Sequence, residues 1–215
     1  AFKVSPDVLI PRSPIAELIE RGFEPWAGGH PIVRVLDLCC GSGCIGIAIA
    51  AQMPDTEVDL VDISEAALAL ARENAADHGV AERTEVIQSD GLRALTGRRY
   101  DGIVANPPYV GVDEYAALPG EFAHEPKLAL VSGEDGLDLP LRILAAAAEH
   151  LEDNGLLVLE VGASAPALEA ALPDVAFTWV EFERGGSGVT VLDRQSLLEH
   201  AADIADALAA RGLTP

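Results

Sequence analysis

Long apolar runs are missing from this chain. No stretch approaches the run of about 18 apolar residues that a membrane-spanning helix needs, and segments such as Ile45–Ala51 are short. Nothing at the N-terminus reads as a signal peptide, because Lys3 and Asp7 interrupt any apolar core. Lysine is almost absent, with Lys3 and Lys127 the only two, and 14 basic residues face 35 acidic ones for a net charge of −21. Such a surface repels phosphate backbones, which argues against direct binding of long DNA or RNA. Genomic compositional bias or adaptation to salt produces the same acidity and stands beside that reading. Cysteine is scarce and crowded at Cys39, Cys40 and Cys44. Adjacent positions do not suit a disulfide framework and no distant Cys completes a zinc site, so we expect small buried thiols, no metal and a reducing cytoplasm.

What remains suits one globular domain: 215 residues, 49% of them hydrophobic and 23% charged, with no collagen-like, mucin-like or disordered bias. The chain starts at Ala1 rather than Met, and we expect it to be part of a longer protein. Strand and helix patterns alternate along it. Val33–Leu38, Val58–Ile63, Thr84–Gln88, Tyr100–Ala105 and Leu156–Val161 read as strands. Helices are expected through about Met53 after a Gly41–Gly46 turn, from an N-cap at Ser64 to a stop at Gly79, over Leu137–Leu151 and over Ala165–Leu172. Phe177–Glu183 and Val189–Leu192 read as late strands joined by Gly185–Gly188, and Arg194–Arg211 as one final helix. This pattern predicts an α/β fold with a doubly wound, mostly parallel sheet and an antiparallel edge. We divide it into a segment at 1–30 and a main domain at 31–215. The stretch Val110–Asp135 is too long for an ordinary connection and is expected to be functional.

The first chemical signal is DLCCGSGCIG at 37–46, in which Gly41, Gly43 and Gly46 follow a strand and open a helix. Glycines there let the backbone approach a ligand, and the helix N-terminus offers free N–H groups. Asp62, closing the second strand, can accept hydrogen bonds from both hydroxyls of an adenosine ribose. These features fit an NAD(P)-binding oxidoreductase as well as an S-adenosylmethionine enzyme. Asp37 leans toward the latter, since an acid faces a pyrophosphate badly but suits an amino group and a sulfonium. Asp90 either accepts from an adenine amino group or caps the turn before Leu92.

The second signal decides between the readings. Asn106-Pro107-Pro108-Tyr109 directly follows the fourth strand, at the carboxyl edge where open α/β sheets bind ligands. Prolines fix the turn and remove donors, leaving the Asn106 side chain and the Pro107 carbonyl as rigid acceptors for an –NH2 group, with Tyr109 a flat wall. An oxidoreductase leaves this tetrapeptide unexplained. A nucleic-acid amino-methyltransferase would need a basic track that the chain lacks.

These residues resemble the class I S-adenosylmethionine methyltransferases that act on planar amide or amino nitrogens, and among them the HemK-like protein-(glutamine-N5) methyltransferases. LIPRSPIAELI (9–19), LDLCCGSGCIGIA (36–48), VDISEAALALARENAADHG (61–79) and NPPYVGVDEYAALPGEFAHEPKLALVSGEDGLD (106–138) carry the likeness, which covers nearly the whole chain. The PRSPIAEL form and LPGEFAHEPKLAL look most like the branch that methylates a glutamine of large-subunit ribosomal protein L3, rather than the release-factor branch. The resemblance implies a Rossmann-like seven-stranded fold, an S-adenosyl-L-methionine cofactor leaving as S-adenosyl-L-homocysteine, and a glutamine-bearing loop of a ribosomal protein as substrate. It implies a cofactor site formed by Asp37, Cys39, Cys40, Gly41, Ser42, Gly43, Asp62, Ile63, Asp90, Gly91 and Asn106, with Asn106-Pro107-Pro108-Tyr109 at the acceptor. Members usually carry an N-terminal helical domain, which we do not find here, and have Thr or Gly where Cys39 and Cys40 stand. His124-Glu125-Pro126 is read as loop architecture.

Overall fold

A computed structural model describes residues 1–6, 8–10, 12–117 and 126–214. Seven strands form one sheet: β1 (Arg34–Leu38), β2 (Glu57–Asp62), β3 (Thr84–Gln88), β4 (Tyr100–Ala105), β5 (Leu151–Glu160), β6 (Thr178–Trp179) and β7 (Val189–Asp193). Their order is β3-β2-β1-β4-β5-β7-β6. The first five run parallel, while β7 pairs antiparallel with β5 and β6 antiparallel with β7. This is the doubly wound, mostly parallel seven-stranded sheet expected from the alternation of strands and helices.

Both faces of the sheet are apolar, as a sheet covered on two sides must be. Side chains alternate along each strand, so Leu36 and Leu38 of β1 enter one core and Val35 enters the other. Helices α1 (Ala16–Glu20), α2 (Cys44–Gln52) and α3 (Glu65–Asp77) cover one face. On the other face lie α5 (Asp138–His150), α6 (Ala165–Ala171), α7 (Arg194–Glu199) and α8 (Ala201–Ala209), with α4 (Val112–Ala117) in the connection after β4. Ile15, Leu18, Ile19 and Phe23 are buried in the same core as α2 and α3, so the segment before β1 packs onto the sheet. Ser64 caps α3 by accepting from the Ala67 N–H at 3.3 Å, as the sequence predicts.

Three elements differ from expectation. The final helix is two, broken at His200, whose backbone leaves helical geometry and whose ring contacts Asp203 Oδ2 at 3.3 Å. β5 begins at Leu151 because that residue already pairs with Tyr100, ahead of an irregularity in the ladder. The Phe177–Glu183 strand shrinks to Thr178–Trp179. Beyond it the N–H groups of Glu183 and Arg184 donate to the Glu17 carboxylate at 3.0 and 2.8 Å instead of to a strand.

Candidate active site

Above the carboxyl ends of β1, β2 and β4 lies a cavity of about 540 Å³. The turn after β1 makes its floor. Asp37 on β1 is buried, and its Oδ2 accepts the Gly46 N–H at 2.8 Å, tying the strand to the start of α2. Gly46 must be glycine: a Cβ there would fall inside contact of Leu60 and 2.9 Å from the Asp37 Cβ. The other Asp37 oxygen is buried without a hydrogen-bond partner among the described residues. Burial raises this carboxyl from 3.8 to about 7, against the Gly46 N–H and helped by the charge of Asp62.

Cys39 adopts a left-handed backbone (φ 62°) where glycine is the unstrained choice. Its N-terminal neighbours lead from β1 straight into the cavity wall, and Cys39, Cys40, Gly41, Ser42 and Cys44 all line it. The three thiols are free, and burial pushes each upward, Cys44 to about 12, so all stay protonated near neutrality. Among the described residues no group of His, Cys, Asp or Glu could hold a metal ion.

Asp62 closes β2 beside this turn. Its two oxygens accept the N–H groups of Gly41 and Ser64, both at 2.9 Å, which orients the carboxylate at the cavity edge and leaves lone pairs on each oxygen. Ile63 beside it is exposed and lines the cavity. Asp90 and Gly91, after β3, line the wall next to them. Asp90 accepts from Arg142 Nη2 at 3.2 Å and from Arg93 Nη1 at 2.8 Å. Arg142, then Arg93, hold its carboxyl below the ordinary value against the cost of burial.

The acceptor turn follows β4. Asn106 and Pro108 line the cavity, whereas Pro107 and Tyr109 do not. Asn106 Oδ1 is buried and has no hydrogen-bond partner among the described residues. An orphaned buried acceptor costs about 1–3 kcal/mol, and a ligand N–H would relieve it. The Tyr109 side chain turns away to Glu160, donating to Oε1 at 3.3 Å, and burial raises its pKa. The structure therefore gathers Cys39–Ser42, Asp62, Ile63, Asp90, Gly91, Asn106 and Pro108 around one cavity. Asp37 and Gly43 lie beneath its floor, and Pro107 and Tyr109 are not among the residues that line it. His124 and Glu125 lie outside the described residues.

Sequence reasoning assigned no role to Arg12, Ser13, Leu139 or Arg142, which also line the cavity, or to Glu160 behind it. The PRSPIAEL motif carried a signal for the first pair. An acid at the end of the apolar run LLVLEV carried one for Glu160.

The model of the methyltransferase small domain family matches residues 30–181. The chain belongs to that family. It is also 51% identical over 211 residues to the ribosomal protein uL3 glutamine methyltransferase of Xanthomonas campestris pv. campestris, covering 98% of this chain and 68% of the relative. The enzyme of the same name from Xylella fastidiosa strain 9a5c is 51% identical over 97% of this chain and 66% of its own length. The methyltransferase chain thus spans about two thirds of these curated relatives. Among solved structures, the hMettl16 catalytic domain in complex with a MAT2A 3′UTR hairpin superposes with TM-score 0.68 at 17% identity, over 90% of this chain and 75% of that one. That likeness concerns the methyltransferase fold alone.

The two orphaned oxygens test the methyltransferase site for a cofactor. A buried acid beneath the floor suits a cationic ligand, the Asp62 carboxylate at the edge suits hydroxyl donors, and the Asn106 oxygen suits an N–H donor. S-adenosylmethionine and an amide substrate offer those groups.

Proposed function

We propose that this protein transfers a methyl group from S-adenosylmethionine to the side-chain nitrogen of a glutamine in ribosomal protein uL3. The observation that carries the reading is the Asn106 amide oxygen, buried and without a partner among the described residues, on a cavity that Asp62 also lines. Relatives at 51% identity that bear this activity in their names support the substrate.

When bound, S-adenosylmethionine supplies an electrophilic methyl group on a sulfonium that leaves as neutral thioether. Asp62 is proposed to hold its ribose, Ile63, Asp90 and Gly91 its adenine, and the Cys39–Gly43 turn with Asp37 beneath it the amino-acid portion. A glutamine amide nitrogen has a delocalised lone pair and is a weak nucleophile, so its enzyme gains most by orientation and electrostatics. Asn106 Oδ1 would accept one N–H of the –NH2 group and the Pro107 carbonyl, on the peptide bond to the cavity-lining Pro108, the other. Together they would turn the nitrogen toward the cavity and stabilise positive charge that develops on it until one of its protons leaves to solvent. The prolines keep these acceptors from relaxing, because Pro107 and Pro108 have no N–H to redirect the turn. The thiols, held neutral by burial, supply bulk and no charge.

Residues 31–215 would form the catalytic domain, with residues 1–30 a strap laid across it. A net charge of −21 favours a basic protein partner over an RNA surface and supports a substrate met as free protein in the cytoplasm. Incubating the protein with labelled cofactor and a ribosomal protein extract, then identifying the labelled polypeptide, tests this reading; label on a different protein would refute the substrate.

A further inference from the structure

Glu160 ends β5 in the middle of the sheet and is only 6% exposed. A carboxylate there is costly, and an apolar residue would fill the same space at lower cost in solvation. Its two oxygens serve two distant segments. Oε2 accepts the Ser13 hydroxyl at 2.6 Å, and Oε1 accepts the Tyr109 hydroxyl at 3.3 Å. Ser13 belongs to the N-terminal strap, and its Oγ in turn accepts the Ile15 N–H at 3.2 Å, just before α1. Tyr109 ends the acceptor turn that begins at Asn106.

The surroundings leave Tyr109 little freedom. A Cβ on Gly162 would come 2.6 Å from its ring, so the ring packs directly against bare backbone. Its carbonyl accepts the Ser164 hydroxyl at 2.6 Å. Gly186 passes under Pro14 so closely that a Cβ would sit 2.7 Å from the proline, which packs the strap against the 185–188 turn. Arg12 and Ser13 line the cavity together with Asn106 and Pro108. The strap at the mouth and the acceptor turn in the wall therefore share one buried anchor.

We infer that Glu160 is a positioning residue that couples the Arg12–Ile15 strap to the Asn106–Tyr109 turn, so that the two acceptors for the substrate amide are held in place only when the strap is seated. The inference rests on the methyl-transfer reading for its kinetic consequence and on the geometry alone for its structural one. Burial raises the Glu160 carboxyl, and the hydrogen bonds from Ser13 and Tyr109 oppose that shift.

Glu160→Gln removes the charge and turns one acceptor oxygen into an –NH2 donor, so either the Ser13 or the Tyr109 hydroxyl must reverse from donor to acceptor and its charge-assisted tie is weakened. In methylation of uL3 we expect kcat to fall about 10- to 100-fold with S-adenosylhomocysteine affinity within about twofold, since the cofactor's proposed contacts lie elsewhere. Ser13→Ala and Tyr109→Phe each remove one bond and should reproduce part of the loss, Ser13→Thr should restore it, and Ser13→Ala should add little to Glu160→Gln. Should Glu160→Gln fail to fold, the Ser13 and Tyr109 variants carry the test. A folded Glu160→Gln protein with kcat within about threefold of wild type overturns the inference, as does a loss of cofactor affinity in proportion to kcat. Trypsin cleavage after Arg12 reads the strap without any substrate: it should be at least about tenfold faster in Glu160→Gln, and an unchanged rate overturns the coupling. Wild-type protein inactive on uL3 refutes the functional reading instead, and leaves the cleavage test to decide the strap.

Discussion

Replacing Asp37 by Asn separates the cost of the floor carboxylate from its use. In the folded protein this group is fully buried, with one oxygen on the Gly46 N–H and the other unpartnered, and its pKa rises from 3.8 to about 7. The folded state therefore holds the proton more tightly than the unfolded chain. Stability is unaffected below about pH 4, declines as pH rises toward 7 and stays at the lower level above, the total loss being roughly 4 kcal/mol. Asn cannot ionise and still accepts the Gly46 N–H, but it sets an –NH2 group where the orphaned oxygen stood, at a cost of about 1–3 kcal/mol. Asp37→Asn should thus be more stable than wild type by about 1–3 kcal/mol at pH 8 and no more stable at pH 4.5. Urea unfolding at both pH values measures the difference. A stability difference independent of pH would refute the reasoning, because it would mean that Asp37 does not change its charge cost between folded and unfolded states. The same variant should bind S-adenosylhomocysteine more weakly, which isothermal calorimetry reads directly.

Asp62→Ala should weaken S-adenosylhomocysteine binding by about 1–3 kcal/mol and also free the Gly41 and Ser64 N–H groups; calorimetry giving wild-type affinity would remove the ribose assignment. Gly46→Ala drives a methyl group into Leu60 and Asp37 and should destabilise the fold by about 1–3 kcal/mol in thermal or urea unfolding, with no loss expected only if α2 can slide. Cys44, pushed up to about 12, should be alkylated by iodoacetamide at pH 8 about a thousandfold more slowly than an ordinary thiol, the rate rising with pH up to that value.

Much of this molecule was legible because its information is local. Thr84–Gln88 and Tyr100–Ala105 are strands at the residues where alternation and β-branched content place them. The Ser64 cap and the Asn106 turn depend on a few neighbouring residues. What stayed hidden spans the chain. The link from Ser13 to Glu160 joins residues 147 apart, and the pull of Glu17 on the 183–184 backbone joins others 166 and 167 apart. Neither has a periodicity to read. Asp37 was visible as an acid in a glycine turn, but only the fold shows that it lies beneath that turn and not on the cavity wall. The break at His200 was hidden by alanines on both sides, which suit a helix equally well with or without it.

The central claim is that the orphaned Asn106 oxygen receives a glutamine amide for methylation. Mass spectrometry of uL3 after single-turnover reaction, run in parallel with wild-type and Asn106→Ala enzyme, tests it most directly. The account predicts one added methyl on a glutamine side-chain nitrogen. Its rate should be about 100- to 1000-fold slower in Asn106→Ala with S-adenosylhomocysteine affinity nearly unchanged. Methylation of any other atom, or an Asn106→Ala rate within about threefold of wild type, would contradict it.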